Sequence, residues 1–185
     1  TGVQTCALSE EAAEALEEAR AIYEETRGHS NPRTASLIAN QAKAAAFRGD
    51  VGVALGLALE AVRIGREHVR LTAAGLSERE ALEYAGEQAE RLDLAVSLAV
   101  EPGFDDPTLI AATWDALIRS RGQVLDEMAD RRIVAAAPRI APLATEVRRA
   151  AGHLSRHMVE GTGPSTSEEI RIARRELELA ERALG

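Results

Sequence analysis

The side chains closest to a reactive constellation sit near the C-terminal end. His153 and His157 are four residues apart, so on a helix they share a face. Glu146 and Glu160 fall on the same stripe, one on either side of the pair. Imidazole nitrogens and carboxylate oxygens together suit a divalent transition metal. The same stripe borders Leu154 and Met158, however, and the local sequence supplies no further polar groups to fix the tautomers of metal-binding rings. The sequence therefore predicts a polar flank beside a core stripe, and no metal. Glu127 and Asp130, three apart on an Arg-rich stretch, read as solvated ion-pair partners. Arg119, Arg121, Arg131 and Arg132 form a basic patch whose guanidinium groups can grip carboxylates bidentately. Asp115, Asp126 and Glu127 stand on neighbouring turns, and Arg119 and Arg121 are the candidates for contact with another helix, domain or partner. Gly161-Thr-Gly163 is followed by no Lys-Ser/Thr and preceded by no strand, so it is not a phosphate loop. Tyr23, Tyr84 and the serines lack His/Asp partners at a spacing that would activate a nucleophile. No catalytic residue and no cofactor is expected.

Composition narrows the function classes further. Of 185 residues, 30 are Asp or Glu and 22 are Lys or Arg, for a formal charge of −8, which disfavours a nucleic-acid-binding face. No apolar run approaches the roughly 20 residues that span a bilayer, and the acidic balance disfavours docking on anionic lipid. With one Cys there is neither an internal disulfide nor a Cys-based zinc site, and a soluble, cytoplasmic protein is expected. Residues Thr1–Leu8 look like the translation of a sequencing-library adapter. They are expected to be a non-native leader, which removes Cys6 from consideration.

Helix signals fill the rest, giving an all-α chain of antiparallel hairpins joined by short loops. The first helix is expected from about Ser9 to Arg27, stopped by Gly28. The second runs from about Arg33 to Arg48, after the loop ending in Pro32. Gly49-Asp50 turns the chain into a third helix, from Val51 to about Thr72. Ser77-Glu-Arg-Glu80 forms a capping box for a fourth helix with Leu82, Ala85, Ala89, Leu92, Val96 and Ala99 as its seam. Asp106-Pro107 reads as N-cap and first residue of a fifth helix reaching about Ala137. Its inward residues are expected to be Ile110, Trp114, Leu117, Val124, Leu125 and Met128, with Gly122 admitting a close neighbour. A sixth helix spans about Arg139 to Glu160 and turns Leu143, Val147, Ala151, Leu154 and Met158 to one side. A seventh, about Ser167 to Leu184, carries Ile170, Ala173, Leu177, Ala180 and Leu184 at heptad spacing.

Glu18-Ala-Arg-Ala-Ile22 recurs 42 residues later as Glu60-Ala-Val-Arg-Ile64. A period in the range of about 20–50 residues marks stacked supersecondary units. Ala42, Ala54 and Ala61 fall where two helix axes cross, with Ile38 as a large neighbour and Gly49-Asp50 at the turn. This arrangement resembles a tetratricopeptide repeat of the kinesin-light-chain variety. Arg66 stands where that repeat places its closing Pro, so the third helix is expected to run on. Downstream, Leu76-Ser-Glu-Arg-Glu-Ala-Leu82, Leu92-Asp-Leu-Ala-Val-Ser-Leu98 and the segment from Trp114 to Arg132, above all Arg119-Ser-Arg-Gly122 and Asp126-Glu-Met128, follow one another at one spacing. That series resembles the helical region between the tetratricopeptide array and the caspase-like CHAT domain of bacterial TPR–CHAT proteins.

The resemblance implies a TPR-like α-solenoid end over residues 9–75, a long helical hairpin over 76–137 and a C-terminal hairpin over 138–185. It implies a non-catalytic protein–protein interaction scaffold, since the family's catalytic His and Cys belong to the CHAT domain and match no position here. Partners would be a protein or peptide, contacted through Asn40, Lys43 and Phe47, and the CHAT domain of the same chain. The isolated segment is expected to self-associate through its uncovered apolar seams. A free-standing tetratricopeptide adaptor and a helical-bundle metal-binding protein are the alternatives.

Overall fold

The computed structural model describes residues 2–29, 31–73, 76, 78–87, 89–135, 137, 140–160 and 166–184. These residues form α1 (Gly2–Arg27), α2 (Pro32–Phe47), α3 (Val51–Ala73), α4 (Glu78–Glu87), α5 (Ala89–Ala99), α6 (Pro107–Ala135), α7 (Ala141–Glu160) and α8 (Thr166–Leu184). No strand occurs among the described residues, and the fold class is all-α. No helix among them is long and apolar enough to cross a membrane.

The punctuation follows from local chemistry. Gly28 ends α1 with φ +83°, a backbone conformation that a side chain disfavours. Asn31 caps α2: its Oδ1 accepts the Arg33 N–H at 2.9 Å, with Pro32 in the first helical position. At the other end of α2 the Asp50 N–H reaches the Ala45 carbonyl and the Gly49 N–H reaches that of Ala46, both at 3.0 Å. With Gly49 at φ +85°, this is a Schellman stop. Asp106 Oδ1 accepts from the N–H groups of Thr108 and Leu109 at 2.9 and 3.1 Å, which starts α6 at Pro107.

Two compact units form. The first contains Thr1–Gly65 with Gln88–Ser120, the second Arg66–Glu87 with Arg121–Gly185. In the first, α1 packs on α2, and α2, α3, α5 and α6 share a core of Ala42, Ala45, Ala54, Leu55, Ala58, Val62, Ala95, Leu98 and Ala116. A second cluster joins Ala35, Ile38 and Ala39 to Ala61 and Ile64. Alanine at so many crossing positions lets helix axes approach closely. In the second unit, α7 packs along α8 around Leu154, Met158, Ile170, Ala173 and Leu177.

Several expectations need correction. α1 starts at Gly2, because nothing between it and Ser9 breaks a helix. α4 and α5 are separated by residue 88 alone, which lies outside the described residues; of the expected fourth-helix seam, Leu82 is exposed and Ala81 is buried instead. On α6, Trp114 and Leu125 are 60% and 61% exposed, while Thr113, Ala116 and Val124 are buried. The helix turns its smaller side chains inward. The polar ones among them are bonded back to their own turn: Thr113 Oγ1 donates to the Leu109 carbonyl at 2.9 Å and Ser120 Oγ to that of Ala116 at 2.7 Å. A Cβ on Gly122 would meet first the Asp126 carboxylate of its own helix, at 3.3 Å, so no close neighbour explains that glycine. α7 begins its buried stripe at Ala144 rather than Leu143, and α8 buries Ile170, Ala173 and Leu177 as the heptad predicts. α3 does run on past Arg66, to Ala73.

Candidate functional site

In the first unit the outer side of α2 carries Asn40, Lys43 and Phe47, three and four residues apart and all exposed, Phe47 at 70%. Lys43 is engaged: its Nζ donates to Glu90 Oε1 of α5 at 2.7 Å, and this hydrogen bond holds the Glu90 carboxyl below the ordinary carboxylate value. A cleft of this unit, about 340 Å³, is bounded by α1, α2 and α3 and lined by Arg20, Glu24, Gln41, Arg48 and Val53 among others, and not by these three. One wall of it is an ionic network. Arg20 Nε donates to Glu24 Oε1 at 2.7 Å and its Nη2 to Glu60 Oε1 at 2.9 Å. His29 Nδ1 lies 3.0 Å from Glu24 Oε1, and Arg63 Nη2 lies 3.1 Å from His29 Nε2. His29 Nε2 also lies 3.3 Å from Glu60 Oε1, so the imidazole sits between the Glu24 and Glu60 carboxylates. Arg20 and Glu60 belong to the two copies of the internal repeat, so the repeat's signal lay in the sequence but its mutual pairing did not.

A second feature of this unit is an apolar groove on α5 and α6, where Val96, Val100, Ile110, Trp114 and Leu117 surround a hollow of about 80 Å³. Val100 in its lining is 71% exposed, and Ile118, one turn after Trp114 on α6, is 70% exposed. Sequence reasoning missed this site because it turned the Trp114 ring into the core.

Arg119 Nε pairs with the Asp115 carboxylate at 2.8 Å, one turn away on the same helix, with both side chains largely exposed. An exposed pair of this kind contributes about 0.3–0.5 kcal/mol. Arg119 thus makes a contact within its own helix, not one between helices. Arg121 and Arg132 are exposed. The side chains of Cys6, Glu127, Arg131 and Glu160, together with residue 77 of the capping box and residues 161–165, lie outside the described residues.

In the second unit His153 and His157 come together, but not with Glu146, the one of the two suggested carboxylates whose side chain is described. Glu146 pairs with Arg149 at 3.0 Å. The imidazoles instead meet α8, where His153 Nδ1 lies 3.1 Å from Glu176 Oε2 and His157 Nδ1 lies 3.4 Å from Glu169 Oε2. The two rings contact each other through Nε2 atoms 2.9 Å apart. His68, which the sequence reading passed over, is buried in the same unit. Its ring stands edge-on to Tyr84 at 5.8 Å, and its Nε2 lies 3.5 Å from Thr72 Oγ1, which lies 2.6 Å from Ser155 Oγ. This chain of polar groups joins α3 to α7 inside the unit. No three His, Cys, Asp or Glu side chains among the described residues are arranged to hold a metal ion.

No protein-family model matches the chain, and neither a curated protein nor a solved structure does.

Proposed function

We propose that this chain is a non-catalytic protein–protein interaction scaffold, the end of a tetratricopeptide array joined to the helical linker that carries a CHAT domain in bacterial TPR–CHAT proteins. The observation that carries the interaction reading is the α5–α6 groove, with the ring of Trp114 60% exposed at its rim among Val96, Val100, Ile110 and Leu117. A large aromatic ring beside an apolar hollow is what a helix or extended segment from another chain can bury, and Trp dominates such contacts when it does. Phe47, exposed on α2, adds a second apolar anchor. The repeat-like reading is supported by Ala42, Ala54 and Ala61, which are completely buried where α2 and α3 pack.

The partner is a protein surface with an apolar stripe, and the chain itself performs no chemistry. The reading puts it in the cytoplasm of a bacterium. Reading the gene beyond Gly185 tests the linker assignment. A following segment rich in β-strand signals and bearing a His and a Cys is expected, whereas a stop codon directly after Gly185 contradicts the linker and leaves a free-standing adaptor. The interaction itself is read from the emission of Trp114, the only tryptophan in the chain. A blue shift is expected when a partner covers the groove.

A further inference from the structure

The α7–α8 pair holds an arrangement that neither the scaffold reading nor the sequence accounts for. His153 and His157, one turn apart, aim their Nε2 atoms at each other across 2.9 Å, with ring centroids 4.5 Å apart and planes at 73°. The Nδ1 atom of each ring faces a carboxylate from the other helix, Glu176 for His153 and Glu169 for His157. A carboxylate at Nδ1 draws the ring proton there and leaves Nε2 as a lone-pair donor. At 2.9 Å the two Nε2 atoms share one proton in a hydrogen bond, and a metal ion can take the place of that proton.

We propose that His153 and His157 chelate a divalent transition metal through their Nε2 atoms, with Glu176 and Glu169 as positioning residues that orient the rings. Each half of the cluster is then a carboxylate–histidine–metal arm, the arrangement that fixes tautomer and ring direction around bound metals. Imidazole ligands select Zn²⁺, Ni²⁺ or Cu²⁺ over Ca²⁺ and Mg²⁺, which take oxygen. Zn–N bonds of about 2.0–2.1 Å in tetrahedral geometry place two ligand nitrogens about 3.4 Å apart. The rings therefore have to part by about half an ångström, and any proton shared between them leaves to solvent. Both side chains are partly exposed, 38% for His153 and 25% for His157, so the ion can enter from solvent and the rings can turn. Because no third protein ligand converges among the described residues, water completes the coordination. This chelate is independent of the scaffold reading and would survive its failure.

The test is calorimetric titration of the chelator-dialysed full chain with ZnCl₂, alongside His153→Ala/His157→Ala, Glu176→Gln and Glu169→Gln. Circular dichroism verifies that each variant keeps its helicity. The expected result is one equivalent of Zn²⁺ bound by the wild type, no such binding by the double variant, and no uptake of Mg²⁺ by either. Each Glu→Gln change should weaken binding by about 10–100-fold. The double variant retains His29 and His68, so equal Zn²⁺ binding by it and the wild type would overturn the site, as would no binding by either. Full affinity in both Gln variants would overturn the role given to the glutamates. As a second readout, Cu²⁺ bound to the wild type should show hyperfine coupling to two nitrogens in its electron paramagnetic resonance spectrum, and no such signal in the double variant.

Discussion

The helix pair α2–α3 and the helix pair α7–α8 reach the same outcome by opposite means. At the first, alanines fill most of the buried positions and Ile38, Leu55 and Ile64 are the few large side chains. At the second, Leu154, Met158, Ile170 and Leu177 interdigitate around Ala150, Ala151 and Ala173. Close approach gives α2–α3 its contact through many small dispersion gains. In α7–α8 the gain comes from burying large side chains, each worth about 1.5–3 kcal/mol. The two pairs also differ in what flanks them. The alanine-packed pair leaves Phe47 and Val53 on its surface. The leucine-packed pair leaves Val159, Ile172 and Leu179 partly outside as well, and is flanked by the titratable side chains of His153, His157, Glu169 and Glu176.

If that contrast is right, removing volume hurts most in α7–α8. Leu154→Ala should cost about 2–5 kcal/mol, read as accelerated hydrogen exchange of α7 and α8 amides. A loss below about 1 kcal/mol would mean that this interface can collapse around the gap and is not packed as described. Adding volume should hurt in α2–α3. Ala58→Leu is expected to cost about 1–3 kcal/mol by overpacking, while Val53→Ala on the exposed side of α3 should stay within about 0.5 kcal/mol. Equal urea midpoints for the two variants would dissolve the distinction between the faces of α3.

Smaller effects follow from the caps and ion pairs. Asn31 is buried and its side chain caps the start of α2. Asn31→Ala should therefore lower the thermal midpoint, with a loss of about 0.5–2 kcal/mol. Glu24 gives the smallest and most pH-dependent effect. Its hydrogen bond from Arg20, then that from His29, holds the carboxyl below the ordinary value of 4.5. A depressed carboxylate stabilises the fold above its unfolded-state value and loses that contribution as pH falls through its folded value. The midpoint difference between wild type and Glu24→Gln should thus be present at neutral pH and close as the solution is acidified below about 4.5. Salt should shrink it, because the pair is partly solvated. A difference that widens with acid would contradict the assignment.

Much of this molecule was legible where one helix carries its own signal. Ile170, Ala173 and Leu177 declared the buried face of α8, Gly49-Asp50 the turn after α2, and Asp106-Pro107 the start of α6. The failures arose where the answer depends on a second helix. Trp114 was assigned to the core because apolar size usually predicts burial; the close packing of α6 favours Thr113 and Ala116 there instead, with the hydroxyl satisfied locally. The histidines are legible as a pair, but helical spacing points to carboxylates on α7. Glu169 and Glu176 come from α8 and become neighbours only through the register in which α7 and α8 pack. Likewise Arg20 and Glu60 stand in repeated motifs, and nothing in a 42-residue offset says that they touch.

The central claim, that these helices exist to present the Trp114 groove to another chain, is tested most directly by sedimentation equilibrium of the isolated chain across a wide concentration range, with Trp114→Ala measured beside it. On the proposed reading, a second copy offers the apolar surface that the groove would bury. The wild type should associate as concentration rises, and Trp114→Ala should remain monomeric over the same range. A wild type that stays monomeric at the highest concentration, or association that Trp114→Ala leaves unchanged, would contradict the claim.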